Sequence, residues 1–350
     1  MAVIFVLASS SVVVLLLGGG FTPIITVIGA LGGTMVFYEV HQTKRIAQAQ
    51  FIRELNSSFT SDLNISRLWE QLLLGKPITN TDRALISSYL TFFETIYILI
   101  SAGVVKINFI DDLFRNRFFT AVGNHSIQEV ALMRSAESFG NIHKLVAIWS
   151  DHVRKLSQGM HAGYAAYLEA QLAQMGFGTV RLGPTHLDEL IALQARVLNT
   201  AEASSHLREN HRSLLLECLE RHIVLGLFDG TGTLSAAGIL YMPDREAESL
   251  SKYIYSQMSI SPTIANLKVV LVEEVSRRKG LGKALVSLLE REAIKLGISE
   301  LLCTIHPGNQ PSRRLFTSLG YRRRKIVKTS YGRRAIYSRQ ILPASRSAAS

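Results

Sequence analysis

Val269-Val270-Leu271-Val272-Glu273-Glu274-Val275-Ser276-Arg277-Arg278-Lys279-Gly280-Leu281-Gly282-Lys283-Ala284-Leu285 decides how the C-terminal half of this chain folds. It opens with an apolar, mostly β-branched run, which predicts a strand. A basic turn punctuated by two glycines follows. Apolar residues then recur at Leu281, Ala284, Leu285, Leu288, Leu289, Ala293 and Leu296, the spacing of one helix face. Gly280 and Gly282 let backbone amides approach a ligand with no Cβ in the way. The helix start behind them adds unpaired N–H donors and the positive end of a helix dipole. Arg277, Arg278, Lys279 and Lys283 add fixed charge. Strand, basic turn and amphipathic helix in this order suit a pyrophosphate.

Downstream, Ser299 to Ile305 predicts the next strand. His306-Pro307-Gly308-Asn309 leaves it, and Pro311 to Tyr321 predicts a short helix ending in Leu319-Gly320-Tyr321. Upstream, Thr179 to Leu182 reads as a strand, and Thr185 as the cap of a helix through Leu187, Leu190, Ile191, Leu193 and Val197. A second helix runs from Asn210 to Glu220. Ile223–Phe228 and Thr233–Tyr241 flank Asp229-Gly230-Thr231-Gly232, a hairpin signal. Pro243 to Pro262 is a polar insertion. Arg322–Thr329 and Ala335–Ile341 supply two last strands. Pattern alone gives an α+β domain with a mixed, mostly antiparallel sheet over residues 177–342.

Read as Arg277-x-x-Gly280-x-Gly282, the turn resembles the acyl-CoA signature of the GNAT superfamily of N-acetyltransferases. Asn309 and Leu319-Gly320-Tyr321 fit that family's second motif at the right spacing. The resemblance covers about the last half of the chain. It implies that acetyl-CoA is held by Val270, Val272, Arg277, Arg278, Lys279, Gly280, Leu281, Gly282, Lys283, Asn309 and Phe316. It also implies a strand, Lys268–Val272, that bulges and splays from its parallel neighbour to admit the pantetheine arm. An amine then attacks the thioester directly, with positioning and proton removal as the main catalytic tasks. Candidate bases are Glu273 and Glu274 beside the turn and Glu246 or Glu248 in the insertion; His306 is a candidate proton carrier. A backbone N–H near Val270 would polarise the thioester carbonyl. Many family members carry a tyrosine where this chain has Phe316, as the acid for the departing thiolate, and phenylalanine has no ionisable group.

The N-terminal half differs in kind. Residues 1–38 contain no Asp, Glu, Lys or Arg. A membrane helix needs about 17–25 apolar residues, so residues 1–40 are expected to be a transmembrane anchor. A single tilted span and a two-span hairpin hinged at Gly18-Gly19-Gly20 both fit. His41, Lys44, Arg45 and Arg53 follow, and positive charge after a span favours the cytoplasmic side. The expectation is an inner-membrane protein with its acyltransferase domain in the cytoplasm. Residues 41–176 predict an all-α domain. Its Phe92-Phe93-Glu94 helix, Ala84 to Ala102, reads as a buried bundle helix, because Glu94 at its centre is costly in lipid. Further helices are expected over Ile110–Thr120, Ser126–Phe139, Ile142–Leu156 and His161–Met175. This arrangement resembles a helical domain of bacterial membrane-anchored proteins of uncharacterised role, and implies no activity.

The chain has 350 residues, 47% of them hydrophobic, and a net charge of +11. Arg313 to Ser350 holds eleven Lys or Arg and no Asp or Glu, a number equal to the whole excess. That basic end suits the CoA phosphates or an anionic lipid leaflet; no nucleic-acid recognition motif accompanies it. Residues 343–350 read as a disordered tail. Cys218 and Cys303 give no disulfide framework, and the histidines show no metal spacing, so no metal is expected. Trp69 and Trp149 read as packing residues. The main expectation is a membrane-anchored N-acetyltransferase acting on a small-molecule or protein amine. The alternative is a non-catalytic membrane-tethered acyl-CoA sensor or scaffold.

Overall fold

The structure is a computed structural model that describes residues 46–134, 139–156, 160–199, 206–244, 249–255, 263–329 and 332–342. The expected anchor at 1–40, Glu246 and Glu248 of the insertion, and the tail at 343–350 lie outside the described residues.

The N-terminal part is helical. Residues 46–61 form α1, followed by α2 (Leu63–Leu73), α3 (Arg83–Ser101), α4 (Ile107–Val122), α5 (Gly140–Lys155) and α6 (Ala162–Gln174). Asp62 caps α2 by accepting the Asn64 and Ile65 amides. The core is aromatic. Phe59, Phe93, Phe114 and Phe118 meet edge-on or tilted, and Phe118 stacks on Trp149 at 5.1 Å. Trp149 is fully buried and its Nε1 donates to Asp111 Oδ1 at 2.6 Å, so it is a packing residue with a satisfied polar edge. The stretch Asn80–Ser101 is long and apolar enough to cross a membrane, yet it also turns Ile86, Tyr89, Leu90, Phe93 and Ile96 into this core.

One expected helix differs. In place of Ser126–Phe139 there is a single turn, His125–Ile127, running into a π-turn at Gln128–Leu132. Buried Gln128 reaches back to donate to the Val122 carbonyl at 2.8 Å, which ties the turn to the end of α4 rather than letting the helix extend. Next to this turn, at the C-terminal end of α4, the chain packs against α6 at Gly123 and Gly163. A Cβ on Gly163 would lie 1.8 Å from the Phe119 carbonyl oxygen, so only glycine permits the contact.

The C-terminal part is one sheet of seven strands in the order β1-β2-β3-β4-β5-β7-β6. The strands are β1 (Gly178–Leu182), β2 (Ile223–Phe228), β3 (Leu234–Tyr241), β4 (Ile264–Val272), β5 (Glu300–Ile305), β6 (Arg322–Thr329) and β7 (Gly332–Gln340). Among the described residues only the β4–β5 pair is parallel. Helices α7 (Leu187–Leu198) and α8 (Arg212–Arg221) cover one face, α9 (Leu281–Lys295) the other, and α10 (Gln310–Ser318) connects β5 to β6. The helix expected to be capped by Thr185 is instead preceded by His186 and starts at Leu187. Pro184–His186 forms a 3-10 turn first, and the Gly183 amide donates to His186 Nδ1. Leu296, expected on the core face of α9, is 51% exposed. It is the residue after the helix, where Gly297 in the left-handed region turns the chain away.

Candidate acyl-donor and acceptor site

The site is built by one irregularity in the sheet. Along β3 and β4 the register steps from Val269 opposite Ile239 to Leu267 opposite Leu240, leaving Lys268 as an extra residue. Such a bulge inverts the alternation of the strand beyond it. Ala265 and Leu267 accordingly pack in the cluster beneath α9, whereas Val269 and Leu271 pack on the α7 and α8 side. Lys268 itself is exposed between two buried neighbours, with Nζ 3.8 Å from the Tyr241 ring centroid. Parallel pairing of β4 with β5 stops at Leu267–Cys303. From Lys268 onward the β5-facing edge of β4 has no strand partner among the described residues, and the sheet opens into a cleft. The expected splay over Lys268–Val272 is therefore present, in a strand that starts earlier, at Ile264.

One side of the cleft is a cavity of about 730 Å³. Val270, Val272, Leu281, Leu315 and Phe316 give it an apolar wall, and Arg277, Arg278, Gly280, Gly282 and Lys283 close one end. Gly280 caps α9 at φ +82° and Arg278 also has a positive φ, +64°. Two left-handed residues in one turn curl the backbone so that successive amides converge, a concavity suited to an anion. The first amides of α9 lack intrahelical partners and point the same way. Gly282 is tight: a Cβ there would sit 3.3 Å from Leu315 and 3.6 Å from Val272. Of the expected donor-binding residues only Lys279 is turned aside, its Nζ over the Phe177 ring at 5.6 Å; the others all line this cavity. An acyl-CoA fits these residues. The cationic turn matches a pyrophosphate in charge, and the apolar channel along the edge of β4 matches a pantetheine arm in shape and polarity.

The other side is a cavity of about 290 Å³, sharing Val270, Asn309, Ser312, Phe316, His206 and Leu207 with the first. His206 and His306 stack there with ring centroids 4.7 Å apart. The Gly308 amide donates to His306 Nδ1 at 3.1 Å, so the neutral ring presents its Nε2–H as a donor. Partial burial, then the charges of Arg334 and His206, lower the His306 pKa. His211, Arg208, Glu209, Lys268 and Arg334, with the buried Cys303 thiol, complete the charged and titratable lining among the described residues.

The candidate bases are placed apart. Glu273 accepts from Arg196 Nε at 2.7 Å and lines neither cavity. Glu274 lines the larger cavity beside the cationic turn. Asn309 caps α10, accepting the Ser312 amide at 3.0 Å. Phe316 is buried where the two cavities meet, edge-on to Tyr321 at 5.1 Å. That tyrosine does not replace the missing acid. It is buried behind Phe316, and burial together with the Glu290 carboxylate raises its pKa well above the ordinary phenol value. Burial also raises both thiols, Cys218 to about 11 and Cys303 further, which suits core residues rather than nucleophiles. Among the described residues no group of three metal-ligating side chains occurs. The sequence pattern gives His206 and Lys268 no role in the chemistry and places Arg334 only within the basic C-terminal end; the bulge brings Lys268 to the cleft and β7 brings Arg334.

These features define a GNAT-like acyltransferase fold for the C-terminal part of the chain. Residues 253–331 match the family described as FR47-like protein. No curated protein matches the chain. Similar solved structures include the ribosomal-protein-S18-alanine N-acetyltransferase from Escherichia coli, 20% identical, covering 49% of this chain and 97% of that one, TM-score 0.37. A GCN5-related N-acetyltransferase from Kribbella flavida is 13% identical, covering 47% and 98%, TM-score 0.38. The PaiA N-acetyltransferase from Thermoplasma acidophilum, in complex with coenzyme A, is 18% identical, covering 47% and 98%, TM-score 0.35.

Proposed function

We propose that this chain is an N-acetyltransferase that moves an acetyl group from acetyl-CoA to an amine. The observation that carries this reading is the cleft where β4 parts from β5, with the Arg277–Lys283 turn at one end and a second cavity beyond Val270. The amine approaches from the smaller cavity and its nitrogen attacks the thioester carbon. The C–N bond forms, the C–S bond breaks, and CoA leaves as a thiolate. The amine proton passes to His206, while His306, fixed as an Nε2–H donor, supports the developing negative charge on oxygen. With Phe316 in the place of an acid, the thiolate takes its proton from water entering the open end of the cleft. Glu274 lines the larger cavity only, away from the acceptor side, and takes no part in the proton transfer.

Phe316 also supports a second reading, a sensor that binds acyl-CoA without turnover. In either case the apolar, charge-free residues 1–38 are proposed to anchor the chain in the inner membrane with this domain on the cytoplasmic side. Titration calorimetry of the full chain with acetyl-CoA tests both readings. Binding that weakens roughly 100-fold on Gly282→Trp, about 2.7 kcal/mol, is expected, and no binding by the unsubstituted chain sinks both. Release of free thiol across an amine panel, slowed by His206→Gln, separates the enzyme from the sensor.

A further inference from the structure

The smaller cavity carries an uneven charge pattern. Its charged lining among the described residues is Arg208, Lys268 and Arg334 against the single carboxylate Glu209. Lys268 owes its place to the bulge, which turns a strand-interior residue out of the core and onto the acceptor side. Arg334 is buried at 8% exposure, on β7. The basic character continues along the sheet. Alternation puts Ile336 and Ser338 on the same face as Arg334, and their partners on β6 are Lys325 and Arg322. Both are exposed. A cationic amine would meet repulsion at every stage of entry, whereas an anionic one would be drawn along this face.

From this we propose that the acceptor is an amine that also carries an anionic group, a carboxylate or a phosphate, and that Lys268, Arg208 and Arg334 hold that group while the amine faces Val270. The proposal rests on the acetyltransferase reading above. It also fits the chemistry of that reading. Nearby cations disfavour the ammonium form, so the bound acceptor is more readily the neutral amine that attacks.

The test compares matched amines on the full chain loaded with acetyl-CoA. Phosphoethanolamine is set against ethanolamine, an α-amino acid against its amide, and spermidine stands as the cationic control. Thiol release should favour the anionic member of at least one pair by about tenfold in kcat/KM, shrinking with added salt. Which pair shows the preference separates phosphate from carboxylate recognition. Lys268→Glu should erase or reverse the preference, and Arg208→Gln should reduce it, with acetyl-CoA affinity by calorimetry unchanged in both. Where turnover is too slow to follow, binding of the same pairs to the CoA-loaded chain gives the same comparison. Equal or better use of the neutral or cationic members overturns the proposal. Loss of acetyl-CoA binding would instead count against the acetyltransferase reading.

Discussion

Helix α9 carries arginine and lysine chemistry of two opposite kinds at its two ends. At its start, Arg278 and Lys283 face an open cavity and have no carboxylate within 4 Å among the described residues. Toward its end, Glu290 is buried between two guanidinium groups, Arg154 from α5 at 3.1 Å and Arg339 from β7 at 2.6 Å. Arg154 also donates to Ser287 Oγ at 2.5 Å. The same residue types therefore line an open cavity at one end and join the helical and sheet parts of the molecule at the other. What separates the roles is whether a carboxylate has been folded in beside the cation.

The largest effect belongs to the joined end. Glu290→Gln leaves two buried guanidinium groups facing each other, and chemical denaturation should show a loss of about 3–5 kcal/mol. A loss under about 1 kcal/mol would mean the two ends do not differ in kind. At the open end, Arg278→Gln with Lys283→Gln should weaken acetyl-CoA binding by about tenfold in calorimetry, with the unfolding midpoint unmoved. Arg278→Gly sharpens the contrast further. Relief of the positive φ should stabilise the fold by about 1 kcal/mol while acetyl-CoA binding weakens; a stability loss would show that the strain is compensated. The smallest effect is acid sensitivity. Burial lowers the pKa of His161 and of His222. The unfolded chain therefore binds more protons, and stability should fall as pH drops below about 6.5, the ordinary histidine value. Denaturation midpoints at pH 7.5 and 5.5 test the sign, and a higher midpoint at pH 5.5 would reverse it.

Much of the donor side was legible in the sequence because its determinants are local. Gly280, Gly282 and the apolar face of α9 lie within one stretch, and spacing alone sets strand, turn and helix. The acceptor side was not legible. Lys268 reads as one residue of a continuous strand, and only the register against Ile239 and Leu240 in β3 makes it a bulge. His206 follows Ala203-Ser204-Ser205, where no periodicity assigns it a partner, and its neighbour His306 is a hundred residues on. Glu273 looked well placed because it adjoins the turn, but Arg196 from α7 takes its side chain. Glu290 reads as one more polar position on α9, and the guanidinium that buries it comes from 136 residues earlier.

The contact between Arg154 and Glu290 gives the molecule a mechanical coupling. Glu290 sits about 15 Å along a continuous helix from Gly280, at 1.5 Å per residue. A ligand that steadies the first turn of α9 also steadies the seat of Arg154, and through it the aromatic core around Trp149. Acetyl-CoA should therefore raise the melting temperature of the helical and sheet parts together, in one transition. A chain cut before Gly178 would lose Arg154 and leave Glu290 with Arg339 alone, so its sheet would be a weaker and looser molecule than the same sheet in the whole protein.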